Sequence, residues 1–437
     1  MRRFRSIALL LTLPLSVLPI PAMGAEPAPA AQKTAATPLD MRAGQLVAIL
    51  NNGMAVEDYF TPSFLTAVPP AQIKAISDSF AAQYGKALAI AAIQRNGPNS
   101  ATLQVEYEKA IATIDITVEP STPNKVAGLL AKGFSLKGDT IGKIQADFGA
   151  LPGSSGFIVK KLTNEGAVTV HAMNAERQFA TGSTFKLYVL AELASQVAAG
   201  QRRWSDVVPL GVRNHSSAGT QNWPLDTPVT LQALATWMIS VSDNAATDAL
   251  MRELGRDAVE SKLASIGHSA PDRALPMLTT VEAFALKSNP KLRERFEKAN
   301  EAGQRELLIG ERTALSYGAI DMSQLGSGPV AIESIEWFAS PEDTALLLNN
   351  LRRINSQTAR DVMAVNSGIG AAAAGKWRYL GYKGGSEPGV ISMSFLAQSK
   401  ASEWYAISGS WNNPAKEVDN AAFVALMTRL IDTVAAS

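Results

Sequence analysis

Cysteine is absent from the 437 residues, and histidine occurs three times, as His171, His215 and His268. The first absence excludes disulfides, thiolate metal sites and cysteine nucleophiles. The second leaves no pair at a metal-ligand spacing such as H-x-x-x-H, so neither a metal nor a cofactor is expected. An excess of one charge is missing too. Forty Lys and Arg face 39 Asp and Glu, for a net charge of +1. Nothing in that balance calls for a nucleic acid or an anionic membrane as partner. Beyond the first two dozen residues there is no apolar run long enough to span a bilayer.

The rest of the composition is that of a globular protein with a real core, 46% hydrophobic and 18% charged. The length suits two domains. Arg2, Arg3 and Arg5 precede an apolar stretch from Ile7 to Ile20, and Ala22-Met23-Gly24 supplies small residues for cleavage. Residues 1–24 therefore read as a signal peptide, with an uncleaved anchor as the alternative. Pro14 and Pro19 interrupt the run, and no cysteine follows it, which excludes a lipoprotein. Residues 25–38 are rich in Ala and Pro and read as a flexible linker. The mature protein is expected to be periplasmic or secreted.

Residues 39–135 read as a small α+β domain. Helical periodicity over Met41–Leu50 and Ala71–Tyr84 is separated by Pro62, Pro69 and Pro70, and alternating strands follow. These are Leu88-Ile90-Ala92, Leu103-Val105-Tyr107, Ile114-Ile116-Val118 and Val126 to Phe134. Helices before consecutive hairpins suggest a curved antiparallel sheet cupping a helix. Glu57, Asp58 and Asp115 stand alone there, as solvated carboxylates usually do. Residues 139–437 read as a second α+β domain. Asp139 is a candidate cap for a helix to Phe148, and a hairpin spans Phe157 to Ala172. A long helical middle follows, then three strands at Trp377–Lys383, Ile391–Ala397 and Trp404–Ser410, and a closing helix. That order gives an antiparallel sheet with helices on its faces plus a helical lobe.

Three short motifs in this second part carry chemistry. Ser183-Thr184-Phe185-Lys186 is S-x-x-K, Ser242-Asp243-Asn244 is S-D-N, and Lys383-Gly384-Gly385 stands where Lys-Thr-Gly belongs. S-x-x-K alone arises by chance about once in such a chain, whereas S-D-N arises in fewer than about one in ten. Order and setting give the combination its weight. Ser183 opens a helix, where free N–H groups favour an oxyanion. Lys186 lies one turn on, within reach of the hydroxyl. A serine is a poor nucleophile until a neighbour takes its proton, and a lysine is a base only when burial and a second cation lower its pKa from about 10.4. Lys383 is a candidate for that cation and for pairing with a substrate carboxylate. Ser242, 59 residues after Ser183 (242 − 183), can relay a proton to a leaving group. Asn244 can bind a substrate amide. Gly385 lets substrate approach the strand, and the N–H of Ser386 is a second oxyanion donor beside that of Ser183. Read separately, each motif is equally a helix cap or a solvated charge.

The stretches Ala180–Lys186 and Ile239–Ala246 resemble the motif surroundings of the class A serine β-lactamases and penicillin-binding proteins, over residues 139 to 437. The layout is similar to two-domain β-lactamase-like proteins of the clavulanic acid cluster type, in which a small steroid isomerase/cyclase-like domain comes first. The resemblance implies a serine hydrolase working through an acyl-enzyme on Ser183, with Lys186, Ser242 and Lys383 as its other catalytic groups. An ester, amide or β-lactam is the implied substrate. Two departures modify this. Ser265 to Thr280 lacks the Glu-x-x-Leu-Asn whose glutamate activates the deacylating water, and Asp272 is the only carboxylate in that stretch. Gly384 replaces a threonine, whose hydroxyl Ser386 is a candidate to supply. Lys383 also lies 141 residues after Ser242 (383 − 242), so 291–336 reads as an added helical insert. Weak turnover of β-lactams is the expectation. A D-Ala-D-Ala peptidase or a penicillin-binding protein that acylates without turnover is the alternative. A third reading makes the N-terminal domain a binder of a small apolar ligand.

Overall fold

Alternation builds the first layer. In the strands Ser100–Tyr107 and Ala110–Val118 every second side chain is buried, Leu103, Val105 and Tyr107 on one and Ile114, Ile116 and Val118 on the other. They form the centre of a four-stranded antiparallel sheet flanked by Ala87–Gly97 and Val126–Leu136. Helix Pro38–Leu50 lays Leu39, Ala43, Leu46 and Leu50 on this face at helical spacing. Leu46 is fully buried, so Leu46→Ala costs about 2–5 kcal/mol. The computed structural model describes residues 37–217, 219–326 and 328–436. The expected signal peptide and most of the expected linker lie outside them.

Three local expectations change here. Pro38 opens the first helix rather than closing a flexible stretch. Pro62 and Pro70, expected as separators, also open helices, Pro62–Ala67 and Pro70–Tyr84. A first-turn N–H has no partner to lose, which suits proline. In the first strand Leu88 points outward, 52% exposed.

The second layer is a five-stranded antiparallel sheet. Its order is Tyr379–Glu387, Val390–Gln398, Trp404–Asn412, Ser154–Leu162, Ala167–Met173. Its three central strands are buried on both faces and feed two cores. Phe157, Val159, Phe395 and Ile407 pack with helices Ile141–Gly149 and Asn420–Ala436. Ile158, Leu396 and Ala406 pack on the other side with Lys186–Ala198, Leu231–Ser240, Asn244–Leu254 and Pro341–Ile354. The Lys-Gly-Gly strand forms the edge opposite Ala167–Met173. It runs on to Glu387, so Lys383 lies inside it and not at its end. Helices Pro290–Lys298 and Glu301–Gly310 occupy the expected insert.

Asp139 is not the cap that the sequence suggests. The Thr140 hydroxyl accepts from Lys143 N. Asp139 instead accepts two bonds from Arg429, at 2.6 and 2.9 Å, which ties the last helix to this one. Ser135 donates to Asp432, and Lys376 pairs with the same carboxylate. These contacts join the first layer to the second within one compact unit that begins at Pro38. No helix among the described residues is long and apolar enough to cross a membrane.

Candidate active site

Ser183 sits on a 3₁₀ turn, Gly182–Phe185, that runs directly into the buried helix Lys186–Ala198. Two contacts hold the turn. The Phe185 ring stacks on Trp337 at 4.0 Å with an interplanar angle of 3°. The amide and hydroxyl of Thr181 both donate to Trp337 O, at 3.0 and 2.7 Å. Gly182 has φ 49°, a left-handed value that favours glycine. Edge-strand backbone then closes on the turn. A Cβ on Gly385 would lie 2.3 Å from Ser183 N, and one on Gly182 would lie 3.1 Å from Ser386 N. The two amides expected to face an oxyanion are therefore neighbours.

Ser242, Asp243 and Asn244 join two helices. Asp243 is fully buried and caps Asn244–Leu254 by accepting from Ala246 N at 2.8 Å; Thr220 and Ser217 also donate to it. Ser242 has φ 60°, a left-handed backbone that costs a non-glycine residue of order 1–3 kcal/mol. Lys186 Nζ donates to Ser242 O at 2.7 Å and helps to hold that conformation.

The lysines meet at one hydroxyl. Lys186 Nζ lies 3.2 Å and Lys383 Nζ 3.0 Å from Ser242 Oγ. Lys186 also donates to Asn244 Oδ1 at 2.6 Å. The expected contact of Lys186 with Ser183 is not made, because these three acceptors surround its amine. Ser183 Oγ has no hydrogen-bond partner among the described residues and opens into a cleft of about 670 Å³. Ser242, Asn244, Lys383, Gly385 and Ser386 line the same cleft. The sequence motifs thus converge. Asp272, by contrast, is solvent-exposed on a short helix and is not among the residues lining this cleft.

Burial pushes the Lys186 amine down to about 7, against the opposing pull of Asp248 and Asp243. Burial, and then the charge of Lys186, holds Lys383 well below its ordinary value. Desolvation is the chief cause for both amines, and two ammonium groups that share one hydroxyl repel each other.

The lost threonine has a physical counterpart. A Cβ on Gly384 would lie 2.1 Å from the Tyr382 hydroxyl and 3.0 Å from Ser392 O. The tyrosine ring packs over Gly368 and against Phe395, and burial pushes its pKa up to about 12. The Tyr382 hydroxyl takes the space that a side chain at 384 would fill, and Ser386 lines the same cleft. Alternation put residues 382 and 384 on one face, but which ring would fold back over the glycine was not legible.

A family model described as the beta-lactamase enzyme family matches residues 140–365, just over half of the chain. The chain belongs to the β-lactamase enzyme family. Solved structures of this family are similar to it at low identity. A β-lactamase from Sphaerobacter thermophilus DSM 20745 is 20% identical, with TM-score 0.45, covering 68% of this chain and 94% of its own. A β-lactamase from Chitinophaga pinensis DSM 2588 is 17% identical, with TM-score 0.46, covering 68% and 98%. PBP-A is 15% identical, with TM-score 0.45, covering 68% and 94%. Membership rests on the family model. No curated protein matches the chain.

In this β-lactamase-like serine hydrolase, further ionisable groups beside Ser183 were missed by motif reading. Glu336 Oε2 accepts from Gly182 N at 3.1 Å, and Lys287 pairs with both Glu336 and Glu387. The signal for Glu387 was its place in the edge strand, four residues beyond Lys383. Glu336 and Lys287 carried none, since only folding brings them to Ser183.

Proposed function

We propose that this protein is an exported serine hydrolase that forms an acyl-enzyme on Ser183 with an ester, amide or β-lactam. The observation that supports it most is the chain Lys186–Ser242–Lys383 opening into the cleft that holds Ser183. A lysine near pKa 7 is a competent base at neutral pH. In its neutral form Lys186 takes the Ser183 proton as Oγ attacks the carbonyl. The amides of Ser183 and Ser386 hold the oxyanion. Ser242 Oγ, bounded by two amines, passes a proton to the leaving group. Lys383 regains full charge when an anionic substrate enters, and Asn244 turns its side-chain amide to the substrate. Turnover of β-lactams is weak, because Ser265 to Thr280 carries no Glu-x-x-Leu-Asn. Export rests on residues 1–24. The alternative, a D-Ala-D-Ala peptidase or a penicillin-binding protein that acylates without turnover, is supported by the same missing motif.

Intact-mass spectrometry with a penicillin and with an activated ester tests this. A transient adduct with product release is expected, and Ser183→Ala abolishes it. A permanent adduct supports the alternative. If wild type and Ser183→Ala give no adduct with either reagent, the acyl-enzyme reading fails.

A further inference from the structure

A second, smaller cavity of about 40 Å³ opens beside Ser183, enough for about one water. Its walls include Gly182, Ser183, Asn244, Lys287, Glu336 and Glu387. The last three are ionisable groups that the acylation chemistry does not use. Lys287 Nζ lies 2.8 Å from Glu336 Oε1 and also bonds Glu387 Oε1. Glu336 Oε2 is taken by the amides of Gly182 and Trp337, at 3.1 and 3.2 Å. The two carboxyl groups meet at the one Lys287 ammonium. Like charges this close disfavour ionisation of both, so the pair carries one proton.

The two glutamates are not equivalent. The Glu336 side chain is 1% exposed and Glu387 18%. Glu387 alone of the pair lines both the small cavity and the main cleft. Burial raises Glu336, but Lys287 and its backbone donors bring it below the usual range. Burial and the charge of Glu336 push Glu387 well above it. Other buried carboxylates nearby are occupied. Asp243 accepts from Thr220, Ser217 and Ala246, and Asp248 from Thr280 and Val281. Neither lines the small cavity.

We propose that the Glu336–Glu387 pair, held by Lys287, accepts the proton of the water that hydrolyses the Ser183 acyl-enzyme. This rests on the acyl-enzyme reading above. A water in the small cavity attacks the ester carbonyl carbon. One of its O–H bonds breaks and the proton goes to Glu387, whose own proton passes to Glu336. The amides of Ser183 and Ser386 hold the oxyanion. The carbonyl re-forms as the bond from the acyl carbon to Oγ breaks, and Oγ takes back one proton from the pair. The acid leaves with the water's oxygen, and the pair returns to its one-proton state. A pair that already shares a proton is a weaker base than a free carboxylate, which fits slow release of stable lactam-derived adducts.

The test separates acylation from deacylation by timed intact-mass measurements on the full chain, with a penicillin and an activated ester. Glu387→Gln keeps shape and a donor to Glu336 but cannot accept a proton. Its acyl-enzyme is expected to accumulate, with deacylation at least 100-fold slower. Glu387→Asp should recover part of that rate. Glu336→Gln should slow deacylation as well and flatten its pH profile, which a merely structural role would not do. Deacylation within threefold of wild type in both glutamine variants overturns the proposal and leaves the acyl-enzyme reading intact. A wild type that never acylates at Ser183 overturns both.

Discussion

Gly385→Ala is the most demanding perturbation of the site. The new Cβ would lie 2.2 Å from Thr181 O, 2.3 Å from Ser183 N and 2.7 Å from Gly182 C. Ordinary van der Waals contact begins near 3.4 Å. All three atoms are backbone, so no side chain can rotate away. The edge strand or the nucleophile turn must move by about 1 Å. Overpacking of this kind costs about 1–3 kcal/mol. The turn is pinned by the Phe185–Trp337 stack and by Thr181, so the strand should give way. That carries the amide of Ser386 away from the amide of Ser183, and a misplacement of about 1 Å costs about 100-fold in rate. Stopped-flow acylation with an activated ester measures the rate, and thermal unfolding measures the stability. Gly166→Ala, half-buried before the strand Ala167–Met173 with nothing within 4 Å of the new atom, is the control and should change neither. If Gly385→Ala acylates within threefold of wild type at unchanged stability, the approach of strand and turn is not what organises the oxyanion site.

Acylation should rise about tenfold per pH unit below 7 and level off above it, because Lys186 loses its proton near pH 7; a rate independent of pH from 5 to 9 refutes Lys186 as base. The stability effect has the same sign. The folded-state pKa of Lys186 lies below its unfolded value of about 10.5. Between pH 7 and 10.5 the unfolded chain therefore binds more protons, and this residue makes stability increase with pH across that window. Lys186→Met should remove that part of the slope in a pH series of denaturant melts. Tyr382→Phe should raise KM for a carboxylate-bearing substrate several-fold and leave a neutral ester nearly unaffected, by loss of one hydrogen bond of about 1 kcal/mol. Equal effects on both substrates would show that the hydroxyl does not read the carboxylate. Arg429→Ala breaks the paired bonds to Asp139 and a contact to Asp147; a loss of about 1–2 kcal/mol in a thermal or denaturant melt is expected, with acylation unchanged.

By itself the sequence determined the parts whose causes are local. Alternation placed Leu103, Val105, Ile114 and Ile116 in a core, Thr230 capped its helix at Ala233 N, and motif spacing singled out Ser183, Lys186, Ser242 and Lys383. Hydrophobic period and capping act over a few residues, so they can be read along the chain. Tertiary structure decided the rest. It chose Thr140 over Asp139 as a cap, because Arg429 claims the carboxylate from 290 residues away. It filled the empty place at Gly384 with the Tyr382 ring. It also gathered Lys287, Glu336 and Glu387 around Gly182, from a helix, a loop and the sheet edge. Buried charges need partners, and which partners meet depends on how distant segments pack.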